Sequence, residues 1–110
     1  NPHALSDELI AEWNDRFVSP GGLRGILETY RAEIKNIHIN TELMEKNGKL
    51  DLPVITTGGR MFYGITVKPY AERIFSNIKE SYVLEECGHH LANEQPEALA
   101  EIITKLLKYN

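Results

Sequence analysis

The chain has 110 residues, 25% of them charged and 42% aliphatic, aromatic or cysteine, a balance that excludes a disordered chain and fits one modest core. The formal net charge is −4 and there is no basic cluster, which argues against nucleic acid or anionic membrane as a partner. No apolar run approaches the roughly 20 residues that span a bilayer.

In chain order, Ser6 is an expected helix cap, with Asp7 and Glu8 in the first turn. Leu9, Ile10, Trp13 and Phe17 follow at helical spacing, so a first helix is predicted to about Val18. Ser19 and Pro20 then suit the cap and first position of a second helix with the stripe Leu23, Ile26, Leu27, Tyr30 and Ile34. Gly25 inside it signals close packing or costs about 1 kcal/mol against alanine for no return. Residues 36–49 are polar, and Asn47-Gly48 is a turn signal, so a linker with a short helix is expected. A buried strand is predicted over 52–57, stopped by Gly58-Gly59, then a loop over 59–67. A helix is predicted over 69–77 with Tyr70, Ile74 and Phe75 inward.

Tyr82-Val83-Leu84 reads as a second strand, and Glu85-Glu86 as a solvated pair at its end. Cys87 is alone and can form no internal disulfide. It reads as a small buried residue, with a nucleophilic role two residues before His89 as the alternative. Gly88 permits a sharp turn, and Pro96 opens a last helix to about Lys108 with Leu99, Ile102, Ile103, Leu106 and Leu107 on one face. The second half is therefore strand–helix–strand–helix, which implies two parallel strands and a right-handed crossover. Two such strands want neighbours on both edges, so the chain reads as the end of something larger.

A histidine at the carboxyl end of a strand in an α/β protein sits where such folds place their chemistry. His89 is thus a candidate general base, since a histidine titrates near neutrality; the plainer reading is an exposed turn histidine. Met61 and Phe62 follow the other strand's carboxyl end and are candidate substrate contacts, as is His90. His89 and His90 make no metal pair, because adjacent side chains diverge and no set at zinc spacing accompanies them. His3 and His38 read as surface residues.

Three blocks together resemble the carboxy-terminal part of an α/β-hydrolase of the epoxide hydrolase and haloalkane dehalogenase branch. Leu52-Pro53-Val54-Ile55-Thr56-Thr57-Gly58-Gly59 looks like the penultimate core strand. Cys87-Gly88-His89-His90 running into Glu94-Gln95-Pro96-Glu97 is similar to the last strand's histidine turn and final helix. Pro20-Gly21-Gly22-Leu23-Arg24-Gly25 with Leu27-Glu28-Thr29-Tyr30-Arg31-Ala32 looks like the end of the cap, or lid, domain. The resemblance implies a partial α/β-hydrolase fold: residues 1–46 as two amphipathic cap-type helices and a linker, residues 47–110 as the end of the core.

It also implies chemistry. In that family an aspartate attacks the substrate and forms an ester, which a histidine-activated water hydrolyses, while cap tyrosines polarise an epoxide oxygen. His89 matches the histidine and Tyr30 one of the tyrosines; a phenol can donate to a developing alkoxide. The alternative for Tyr30 is a core tyrosine on its stripe. The implied substrate is a small-molecule epoxide, halide or ester, and no cofactor is implied. Two parts of the pattern depart. No Gly-x-Asp-x-x-Gly or Gly-x-Ser-x-Gly elbow occurs, and Phe62 stands about where the acid after the penultimate strand is expected.

The chain by itself is therefore expected to be inactive, with an amino-terminal hydrolase segment or a homo-oligomer covering the exposed core. A non-catalytic, self-associating binding module is the reading from another class. Asn1-Pro2-His3 begins no recognisable signal peptide; a cytoplasmic location is the default, and secretion stays open if a preceding segment carries a signal.

Overall fold

A computed structural model of the chain describes residues 5–109; the expectations for Asn1, Pro2 and His3 lie outside the described residues. The elements run α1 (Asp7–Val18), α2 (Gly22–Asn47), β1 (Val54–Gly59), α3 (Gly64–Ile74), β2 (Ile78–Leu84), α4 (Leu91–Glu94) and α5 (Pro96–Leu106), then a 3-10 turn at Leu107–Tyr109. The described chain is mixed α/β with one two-stranded parallel sheet. It divides into two compact units at Asn47/Gly48.

In the amino-terminal unit, Ser6 caps α1 as expected, its hydroxyl accepting from the Leu9 N–H at 3.2 Å. Ser19 does not open the second helix. It closes the first: its N–H donates to the Asp15 carbonyl at 3.1 Å and its hydroxyl to the Arg16 carbonyl at 2.7 Å. The chain turns at Gly21, whose φ is +86°, and α2 starts at Gly22. A Cβ at Gly22 would fall 1.9 Å from the Arg16 carbonyl oxygen, so only glycine fits that junction.

The linker expected over 36–49 is instead the second half of α2. Its polarity marks a solvated helix rather than a loop. No proline or glycine interrupts it before Gly48, and the Thr41 hydroxyl and Asn47 amide donate back to the Ile37 and Leu43 carbonyls at 2.8 and 2.9 Å. The turn signal itself is met, with Gly48 at φ +72° ending the helix. A methyl group added at Gly25 would have nothing within 4 Å, so close packing does not explain that glycine. Gly25→Ala is expected to stabilise α2 by about 0.5–1 kcal/mol; unchanged or reduced helicity in thermal circular dichroism would contradict this.

In the carboxy-terminal unit, β1 runs two residues later than predicted and takes Gly58 and Gly59 into the strand. The reason is contact across the sheet. A Cβ on Gly58 would meet the Gly64 Cα at 2.8 Å and the Val67 methyl at 3.0 Å, so α3 lies directly on the glycine backbone. That approach also starts α3 at Gly64, a turn before Pro69, which falls inside the helix. The face laid on the β1 glycines is the one buried, with Gly64 and Ala71 two turns apart on it, while Tyr70 and Ile74, expected inward, are exposed.

β2 pairs in parallel register, Thr57 with Tyr82 and Gly59 with Leu84. Thr56 is buried and donates to the Ser81 hydroxyl at 2.8 Å. The Lys105 ammonium donates to the Tyr82 hydroxyl at 2.9 Å and lies 4.6 Å from its ring centroid, which ties α5 to β2. The hydroxyls of Tyr109, at 2.6 Å, and Tyr82 donate to Glu80, tying the 3-10 turn to β2 and holding the Glu80 carboxyl below its ordinary range. Pro96 opens α5 as expected. Of its predicted apolar face Ile102 is buried, but Ile103 and Leu107 are exposed. Among the described apolar residues the buried core is only Ala71, Cys87 and Ile102.

Candidate active site

Two turns meet at the carboxyl ends of the parallel strands. One, residues 60–63, joins β1 to α3; the other, residues 85–90, joins β2 to α4. Backbone bonds stitch them together: the Arg60 N–H donates to the Leu84 carbonyl at 2.9 Å and the Met61 N–H to the Cys87 carbonyl at 3.0 Å. The approach is close because Gly59 lacks a side chain. A Cβ there would fall 2.1 Å from the Gly88 carbonyl oxygen and 2.4 Å from that of Cys87.

Side chains reinforce the junction. Arg60 pairs with Glu85, and its guanidinium holds the Glu85 carboxyl below the usual carboxylate range. Glu85 and Glu86 are both exposed, as expected of a solvated pair, and Glu85 is in addition paired with Arg60. The Gln95 amide donates to the Glu85 carbonyl. Tyr63 and Glu86, one in each turn, adopt φ of +54° and +53°. Left-handed backbone at non-glycine residues is uncommon and gathers at functional sites.

Cys87 is fully buried beneath these turns. Burial, and then the negative charge of Glu94, push its thiol above the ordinary value. A buried thiol held protonated is inert, which makes Cys87 a packing residue and removes it as a nucleophile.

His89 is exposed at the top of the second turn. Its ring lies against Phe62, centroids 4.4 Å apart at 56°. His90 is 5.0 Å from it at 60°, and Tyr63 meets Phe62 edge-on at 4.6 Å. The two turns thus bring His89, His90 and Phe62 together. Met61, in the same turn as Phe62, is 76% exposed. Among the described residues no carboxylate hydrogen-bonds the His89 ring, and no group of three His, Cys, Asp or Glu side chains could hold a metal ion. The arrangement offers an accessible imidazole with an aromatic brace, suited to moving a proton to or from a bound molecule.

Tyr30 belongs to the amino-terminal unit and is taken by itself. It is 69% exposed, so the alternative of a core tyrosine is not met within that unit. It borders an open hollow of about 390 Å³ along α2, with Thr29, Glu33, Ile37 and Asn40. A groove of about 500 Å³ in the other unit runs along α3 from Tyr63 to Phe75, largely apolar, and does not include His89.

Sequence reasoning gave Glu94 no role of its own, naming it only within the block that leads into the last helix. Its two carboxylate oxygens accept from the N–H groups of Gly88 at 2.7 Å and His90 at 3.0 Å. The available signal was an acid six residues beyond the turn glycine, immediately before Gln95-Pro96. No protein-family model matches the chain, and no curated protein matches it.

Proposed function

We propose that the protein carrying this chain is an α/β-hydrolase of the epoxide hydrolase type. In this reading an aspartate outside these residues opens the epoxide and becomes esterified. His89 then accepts a proton from water as the water oxygen attacks the ester carbonyl. The ester C–O bond breaks, the diol leaves and the aspartate is restored. Tyr30 donates its phenolic proton to the epoxide oxygen as the ring opens, and once the diol has left, the proton taken up by His89 returns to the Tyr30 phenolate through solvent, so both side chains are restored with the aspartate.

One observation carries the reading: an accessible histidine, braced on an aromatic ring, at the carboxyl ends of two parallel strands. The three blocks of family-like sequence support it. So does the thin core with its exposed apolar side chains, which a larger hydrolase would cover. The chain alone, lacking a nucleophile, is expected to be inactive.

The test is acid quenching of the full-length protein during turnover of an epoxide, followed by intact-mass measurement. An adduct of the substrate's mass on an aspartate is expected; turnover without any adduct, or neither, would sink the reading. Tyr30→Phe is expected to slow epoxide turnover about 10²-fold, the order seen on removing one such donor, and to leave ester or halide substrates unaffected. Unaffected epoxide turnover would overturn the assignment of Tyr30 as the epoxide-oxygen donor, and activity on halides or esters without epoxide turnover would point instead to a dehalogenase or esterase.

The exposed stripe of α2, including Leu23, Leu27 and Ile34, also favours a second reading, a self-associating binding module. A monomer in sedimentation experiments on the 110-residue chain would count against it.

A further inference from the structure

We infer that Glu94 is the positioning residue for His89, a role that rests on the reading of His89 as the base. The Glu94 carboxylate spans the histidine: one oxygen accepts from the N–H before it, at Gly88, and the other from the N–H after it, at His90. Hydrogen bonds to an ionised acceptor are roughly twice as strong as neutral ones, and here two of them fix one three-residue segment. The attachment to His90 is reciprocal, since the Glu94 N–H donates to the His90 carbonyl at 2.9 Å. A Cβ at Gly88 would lie 3.0 Å from a Glu94 carboxylate oxygen, a tight contact that would push the carboxylate by a few tenths of an ångström.

The clamp is itself held from the far side. The Gln95 amide reaches back to the Glu85 carbonyl and Pro96 fixes the backbone at the start of α5. Hydrogen bonds from Gly88, and then from His90, keep the Glu94 carboxyl below its ordinary range despite some desolvation, so the clamp is ionised at neutral pH. His89 has no side-chain hydrogen bond of its own among the described residues, so its aim depends on the backbone that carries it. A displacement of about 1 Å at a reacting group can cost about 10²-fold in rate.

The test uses the full-length protein with Glu94→Ala and Glu94→Gln, in single-turnover quench experiments that separate ester formation from ester hydrolysis. Only the second step uses His89. Ester formation should stay within about twofold of wild type, while hydrolysis falls about 10²-fold in Glu94→Ala. Glu94→Gln keeps one acceptor oxygen and should recover part of that loss. A companion measurement, amide exchange at Gly88 and His90, should show protection lost in Glu94→Ala. Unchanged hydrolysis, or both steps falling together with the melting temperature, would overturn the role, as would unchanged amide protection. Absence of an ester in the wild type would sink the hydrolase reading instead, and the amide protection would then decide whether the clamp exists.

Discussion

On the proposed hydrolase reading, His89→Gln in the protein that carries this chain is expected to accumulate the ester intermediate and to lose steady-state turnover by about 10²–10⁴-fold, the usual contribution of a positioned general base. The argument starts from where the ring stands. It is exposed, so water can reach it, and Phe62 lies against it at 4.4 Å, which limits the rotamers open to it. Glutamine keeps a similar reach and polarity but cannot take the proton. In the proposed mechanism the first chemical step, attack on the epoxide, does not involve His89, so the adduct should form at a normal rate and then persist. Intact-mass spectra after acid quenching would show it as the dominant species. If His89→Gln turns over like wild type, His89 is the exposed turn histidine of the plainer reading, braced on Phe62 for packing alone.

Gly59→Ala carries the largest expected effect on stability. The clash is with backbone: the new methyl would sit 2.1 Å from the Gly88 carbonyl oxygen, 2.4 Å from that of Cys87 and 2.7 Å from the Cys87 carbonyl carbon. No side chain can swing aside to relieve it. The turn carrying His89 would have to lift, and the bonds from Arg60 to Leu84 and from Met61 to Cys87 would stretch with it. Overpacking typically costs 1–3 kcal/mol, and an immovable backbone places this substitution at about 3 kcal/mol. Urea unfolding of the 110-residue chain measures it, with Gly25→Ala as the contrast in open space. A loss below about 0.5 kcal/mol, the range of an ordinary surface change, would mean the strand and turn do not approach as closely as described.

The contrast between those two glycines shows what was legible in the sequence. Local signals survived well. Ser6 capped its helix, Pro96 opened another, Asn47-Gly48 ended a third and Cys87 was buried. The first three are decided within a few residues of themselves, and Cys87 follows the general preference of a free cysteine for burial. The misreadings have a different origin. Gly58-Gly59 is a turn signal by local propensity, yet α3 and the β2 turn press onto that backbone from elsewhere in the chain. The polar run over 36–47 looked like a linker because polarity says how wet a segment is, not whether it is helical.

The candidate site divides the same way. His89, His90, Met61 and Phe62 could be placed near strand ends from pattern alone. The pairing of Arg60 with Glu85, 25 positions away, and the wrap of Glu94 around the histidine turn are products of the fold that no local pattern announces. So is the left-handed backbone of Tyr63 and Glu86, since neither residue type advertises it.

The burial of Cys87 has a practical consequence. It is the chain's one cysteine, and it lies two residues from His89 in the same turn. Its carbonyl is bonded to Met61, so the thiol can meet a reagent only when the histidine turn parts from its neighbour. Labelling kinetics with a thiol reagent therefore clock the opening of that turn, site-specifically and without an engineered probe. Compared with global unfolding, the labelling rate tells whether the turn breathes independently or opens only when the whole unit does.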